Sequence, residues 1–295
     1  MVKFLQRTYV FLIFAFLYLP IAVLIALSFN ASRSRGTWGG FTLQWYVELF
    51  QDRVIMNSLY TTLLIGACSA LVATMIGTAA AIGIHNARGW QRRLVMNLTY
   101  IPVLNPEIVT GISLMILFVF SKVQFGYMTL LLAHITFNIP YVILSVLPKL
   151  RQLNSNLYEA ALDLGAEPWY AFWRVILPEI MPGVVTGLLL AFTLSIDDFV
   201  ISFFTTGSGV STLSITVYSM ARRGINPKLN ALSTIMFTAV LLLLVIVNVR
   251  QAREERKGRK ENEQQEVGFR IIGTVDAAGI DPERVQQEAG NPLRI

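Results

Sequence analysis

Four ionisable side chains stand inside long apolar stretches of this 295-residue sequence: Glu107, His134, Asp197 and Asp198. A charged group at bilayer depth is costly, and where it occurs it faces a cavity, a partner or a solute pathway. Three of the four are acids and no Lys or Arg lies at comparable depth, a balance that suits a cationic solute. Asp197 and Asp198 are neighbours, so on a continuous helix they point about 100° apart. Asp198 then shares a stripe with Ser195, Ser202 and Thr205, and Asp197 one with Leu194, Ile201 and Phe204. This predicts Asp198 on an aqueous pathway and Asp197 hydrogen-bonded to a neighbouring helix.

Glu107 follows Asn105-Pro106, which interrupts an apolar run. Asn at an N-cap, Pro next and an acid in the first turn make a good helix start. The same break places the carboxylate beside a cavity, because irregular backbone at membrane depth is tolerated only there or inside protein. His134 and Asn138 are spaced i, i+4, and an interhelical hydrogen bond outweighs proton chemistry for them. Phe199, Phe203 and Tyr141 offer cation–π faces worth about 0.5–2 kcal/mol, although most aromatics in such segments pack. No nucleophile or metal-ligand set surrounds the acids, which argues against an intramembrane enzyme and leaves no catalytic or metal-binding residue to name.

A second polar feature, Asn154 to Gly183, lies between two apolar segments. Leu157, Ala160, Ala161 and Leu164 fall on one helical face. Asn154 to Asn156 can cap its start, and Gly165 supplies the left-handed residue that ends it. Pro168 fits the first turn of a second helix in which Trp169, Phe172, Trp173 and Ile176 repeat the spacing. Pro178 and Pro182 are expected to break that pattern. The segment predicts two short helices outside the bilayer with an apolar face and small alanines that let another surface approach.

These features must be carried by membrane spans. The chain is 54% hydrophobic and 14% charged, against about 25% charged for soluble domains. Apolar runs of the required length, about 20 residues, cover Tyr9 to Ser28, Ser58 to Ile84, Leu98 to Ser121, Tyr127 to Leu147, Pro182 to Thr205 and Leu232 to Val249. The fold class is therefore an all-α integral membrane protein with six transmembrane helices. Arg88, Arg92, Arg93, Lys149, Arg151 and Arg174 fall on the side that by charge bias is cytoplasmic, which puts both termini and Glu159 there. On the other side, Leu43 to Phe50 and Leu213 to Met220 read as short interfacial helices, with a turn at Asn226-Pro227. Trp45, Tyr46 and Tyr218 could serve simply as interface aromatics. The net charge of +6 sits in loops and a tail, where topology explains it without nucleic acid. Residues 251–295 form a charged, low-hydrophobicity tail, expected to be partly disordered. Cys68 is a lone core thiol.

Glu159-Ala160-Ala161, Gly165, Val175, Leu177 and Pro178 resemble the EAA loop of ABC importer membrane subunits. The family pattern has Ile where Val175 stands. The resemblance implies the type I permease fold, with Glu159, Ala160, Ala161, Gly165, Leu177 and Pro178 coupling to a separate ATPase dimer that holds ATP and Mg. This chain has no Gly-Lys pair and hence no phosphate loop of its own. A second set, Phe192 to Asp198, Thr206-Gly207, Val217 to Met220, Asn226-Pro227, Ser28 to Asn30, Asn105 to Glu107 and His134 to Phe137, is similar to the PotC-type membrane subunits of spermidine/putrescine importers. That likeness implies a polyamine substrate met by Asp198, Asp197 and Glu107, and a non-catalytic chain in a bacterial inner membrane. Its implied partners are a second, homologous permease subunit and an extracytoplasmic binding protein. A polyamine carries two or more charges at neutral pH, in keeping with the acids. A permease for another cation or small solute is the alternative. A secondary transporter would work without an ATPase and is expected to show repeat symmetry, which the sequence lacks.

Overall fold

The computed structural model describes residues 2–34, 36–153, 155–224 and 226–239, together with 241, 242 and 245. The expected cap at Asn154 and the tail 251–295 lie outside the described residues. Among those described there is no strand, only an isolated bridge between Asn30 and Phe41.

The helices are α1 Val2–Ser28, α2 Gln44–Gln51, α3 Arg53–Asn86, α4 Gly89–Leu104, α5 Glu107–Phe120, α6 Tyr127–Gln152, α7 Ser155–Asp163, α8 Pro168–Ala171, α9 Leu177–Asp197, α10 Val200–Thr205 and α11 Leu213–Arg222. Among the described residues, four helical runs are long and apolar enough to cross a membrane, or five if the bent pair α4 and α5 is one span. The chain divides into two units, Met1–Leu232 and Ser233–Ile295. Of the second, 233–239 are helical, and the rest of the expected sixth span falls largely outside the described residues.

Helix α6 is the hub of the first unit, packed between α3 and α9 around Val142, Val146, Leu147, Ile180 and Ala191. Close approach here depends on residues with little or no side chain, as expected where helices gain nothing from water exclusion and must gain from contact. A Cβ on Gly77 of α3 would come within 2.7 Å of the Val142 side chain and 3.3 Å of the Ile139 carbonyl oxygen. Gly77→Leu is therefore expected to cost about 1–3 kcal/mol by overpacking. A lowered thermal midpoint of the detergent-purified protein would register it, with Gly83→Leu unchanged because nothing lies within 4 Å of a Cβ at Gly83.

Two expected spans are not continuous. The third bends by 106° between α4 and α5, and Asn105 closes α4 by donating its backbone N–H to the Ile101 carbonyl instead of N-capping α5. The fifth stops at Asp197 and restarts at Val200. In the opposite direction, Pro178 and Pro182 do not end a helix. A π-helical turn, Phe172–Ile176, joins α8 to α9, so Pro178 falls in the first turn of α9, where its missing N–H is harmless. The Pro182 carbonyl accepts the Thr186 hydroxyl at 2.7 Å.

The two expected interfacial helices are α2 and α11. Trp45 is not a surface aromatic: it is buried, and its indole N–H donates to the Asn30 carbonyl at 2.7 Å. Tyr46 shares a 2.6 Å hydroxyl contact with Ser28. Asn226 accepts the Lys228 amide at 3.0 Å and so caps the helical run that begins at Pro227, where a plain turn was expected.

Candidate functional site

The α9–α10 break is built around Asp198. Its backbone is extended, with φ −64° and ψ 124°, and its carboxylate turns onto the start of α10. Oδ1 accepts the Ile201 amide at 3.1 Å and Oδ2 the Ser202 amide at 2.7 Å. These are two of the donors that a helix start leaves unpaired, and an acid is well placed to receive them. Asp198 is 6% exposed, whereas Asp197 is exposed. The two acids thus face opposite ways from the sequence expectation, because the stripes drawn for one continuous helix do not survive a break between them.

Glu107 is the first residue of α5, exposed at the α4–α5 break. Helix α5 packs on α10, with Gly111 against Val200, Ile201 and Phe204. This packing brings Glu107 within electrostatic reach of both Asp197 and Asp198. Tyr141 of α6 lies within reach of Glu107 and packs its ring on Phe137 at 5.2 Å between centroids. Phe199, at the break itself, stacks on Tyr218 at 4.6 Å and on Phe203 at 5.5 Å. Glu107 and the adjacent pair Asp197-Asp198, about 90 residues further along the sequence, therefore share one region bordered by aromatic rings. Among the described residues no group of three metal-ligating side chains occurs.

Beneath this region runs a buried polar chain. His134 Nε2 lies 3.0 Å from the Ser202 hydroxyl and 3.6 Å from Asp198 Oδ2. One turn along α6, Asn138 donates to Ser195 at 2.7 Å, and Ser195 meets Ser69 of α3 at 3.0 Å. The interhelical bond expected of His134 is present. Helical spacing had grouped Ser195 and Ser202 with Asp198 but gave no sign of their partners on α3 and α6, and Ser69 had no signal in the sequence, since small hydroxyls are common on helix interfaces and only their partners distinguish these.

The second feature keeps its two helices, α7 and α8. Gly165 between them has φ +85°. The Gly165 amide donates to the Leu162 carbonyl at 2.9 Å and the Ala166 amide to the Ala161 carbonyl at 3.1 Å, the paired bonds of a Schellman ending. Glu159 and Ala160 are exposed, Ala161 is half-buried, and Leu164, Trp169 and Tyr170 expose large apolar surface. Pro178 is exposed and Leu177 half-buried where α9 begins. A cavity of about 350 Å³ behind α7 is lined by Glu159, Tyr158, His85 and Phe172.

Residues 73–257 match the family of binding-protein-dependent transport system inner membrane components. The chain is 38% identical over 246 residues, 83% of its length and 93% of the other protein, to the spermidine/putrescine transport system permease protein PotC of Escherichia coli strain K12. It is also 38% identical over 256 residues, 83% of its length and 89% of the relative, to the putrescine transport system permease protein PotI of the same strain. In fold it is similar to a chain from the crystal structure of a bacterial ABC transporter that imports the acidic polysaccharide alginate. That likeness has a TM-score of 0.64 and 17% identity, and covers 86% of this chain and 95% of that one.

Proposed function

The chain belongs to the family of binding-protein-dependent transport system inner membrane components, and from that membership we propose that it is the permease subunit of an ATP-driven polyamine importer. The relatives that transport spermidine and putrescine, matched over most of both chains, support the substrate class. The observation that carries the reading to particular residues is the exposure of two carboxylates, Glu107 and Asp197, at breaks in apolar helices. A charged side chain at the bilayer centre costs about 2.5–3.5 kcal/mol even on the most lenient scale. Exposed acids at such positions are therefore placed to face a water-filled route or a second subunit, and not lipid. An alkylammonium passing there meets acids grouped by α5, α9 and α10, with Tyr141 and Phe199 offering aromatic faces. Asp198 supports the site from behind by capping α10.

The chain itself catalyses no reaction, and ATP and its Mg belong to a partner ATPase dimer. The exposed segment from Glu159 to Pro178 is the docking element for that ATPase, its apolar face and Ala160 and Ala161 admitting the other surface closely. Six spans in a bacterial inner membrane, with residues 1–250 as the permease domain, 251–295 as a cytoplasmic tail and both termini cytoplasmic, complete the arrangement. A second homologous permease subunit closes the pathway, and an extracytoplasmic binding protein delivers the substrate, a role that the binding-protein dependence in the family's description supports.

The test is uptake of labelled spermidine in cells lacking their own polyamine importers, supplied with this chain and its neighbouring transporter subunits, with and without ATP depletion. ATP-dependent uptake competed by putrescine and not by amino acids is expected. A complex that assembles and hydrolyses ATP without such uptake would overturn the polyamine assignment in favour of another cation or small solute.

A further inference from the structure

Asp198 does not touch the exposed face of the acidic region, yet it decides where that face points. Its two carboxylate oxygens hold the Ile201 and Ser202 amides, and so fix the restart of the helix at Val200, three residues after Asp197. What holds Asp198 in turn comes from another helix. His134, 1% exposed on α6, sets its Nε2 3.0 Å from the Ser202 hydroxyl and 3.6 Å from Asp198 Oδ2. A carboxylate has no proton to give, so the tautomer that makes both approaches attractive carries its proton on Nε2. That assignment leaves Nδ1 as an acceptor, and Nδ1 has no partner among the described residues, as is also true of Asn138 Oδ1 one turn away.

An unpaired buried polar atom costs about 1–3 kcal/mol. A leucine of similar volume would avoid that penalty and still fill the space between α6 and α10. Stability alone therefore does not account for an imidazole here, whereas the two groups that its Nε2 holds do. Thr129 of α6 adds a second tie to the same short helix, donating to the Thr205 carbonyl at 2.8 Å. Helix α10 is thus fastened at both ends to α6, and only the His134 end reaches the acids.

We propose that His134 is a positioning residue, which fixes Asp198 and Ser202 at the α9–α10 break and thereby sets the direction in which Asp197 meets a cationic substrate. The role rests on the polyamine-permease reading for its substrate, but not for its geometry. In the assembled complex, His134→Leu is expected to raise the KM for spermidine about tenfold, while the maximal rate per assembled complex falls less than about threefold. His134→Gln, whose amide nitrogen can stand near the position of Nε2, is expected to stay within about threefold of the unaltered KM. An unchanged KM in the Leu variant, or a Gln variant as impaired as the Leu variant, would overturn the proposal.

If the Leu variant fails to assemble, Ser202→Ala decides. It removes one of the two Nε2 contacts with little change in volume and is expected to raise KM about threefold; no rise counts against the proposal. A second readout needs no substrate. In a Cys68→Ala background, Asp197→Cys in the assembled complex is labelled by a cationic methanethiosulfonate reagent, and adding Ser202→Ala or His134→Leu is expected to change the labelling rate about fivefold or more, since small displacements of a supporting side chain misplace a site. An unchanged rate overturns the positioning role even if the transported solute proves not to be a polyamine. Absent spermidine uptake by the unaltered complex would instead remove the substrate assignment and leave the labelling result to decide this one.

Discussion

Asp197→Asn is expected to lower spermidine uptake at limiting substrate about tenfold or more, equivalent to about 1.4 kcal/mol of lost substrate stabilisation. Asn keeps the volume and hydrogen-bonding capacity of the side chain and removes only its charge. Asp197 is exposed, so no internal contact is forfeited with that charge. Glu107→Gln is expected to act in the same direction, because Glu107 and Asp197 are both exposed and lie within electrostatic reach of one another. The double variant should therefore fall short of the product of the two single effects, the mark of residues that share a ligand. Asp198→Asn is a different experiment. An asparagine oxygen can accept one of the two amides that Asp198 now holds, so a defect there reports a disturbed helix start as well as any lost charge. Uptake by Asp197→Asn at the normal rate and normal KM, with normal assembly, would remove Asp197 from the pathway.

The second large effect is expected at the exposed loop. Gly165 has φ +85°, a conformation that a β-branched residue adopts only under strain of about 1–3 kcal/mol. Gly165→Val should undo the paired bonds that end α7 and change the angle at which α8 leaves it. Ala161→Arg leaves the backbone alone and puts a long cation on the small face. Both are expected to reduce recovery of the ATPase with the affinity-purified membrane subunit about tenfold or more, or to leave it bound with its hydrolysis no longer stimulated by substrate. Gly209→Val is the matched control, a glycine at φ +88° in the loop after α10, remote in sequence from the docking segment. If both loop variants retain the ATPase and transport normally, the docking role assigned to Glu159 through Pro178 falls.

The membrane class, the two short helices around Gly165 and the interhelical bond of His134 were legible in the sequence alone. Each follows from local chemistry: apolar length, helical spacing, the freedom of glycine at positive φ, and the need of a buried polar side chain for a partner. The break at Asn105-Pro106 announced itself through a residue that cannot donate a backbone bond. The break at Asp198 had no such marker, since neither Asp198 nor Phe199 forbids a helix. Only tertiary structure decided it, because His134 on α6 and the amides at the start of α10, which have no intrahelical partner, together receive a carboxylate that would otherwise stand alone among apolar side chains. The same cause reversed the expected orientation of Asp197 and Asp198. At Pro178 and Pro182 the sequence signal pointed to a break, and the π-helical turn at Phe172–Ile176 shifted the hydrogen-bond register so that the helix continued. Residue types fixed which groups had to be satisfied, and the packing of α3, α6, α9 and α10 chose the partners that satisfied them.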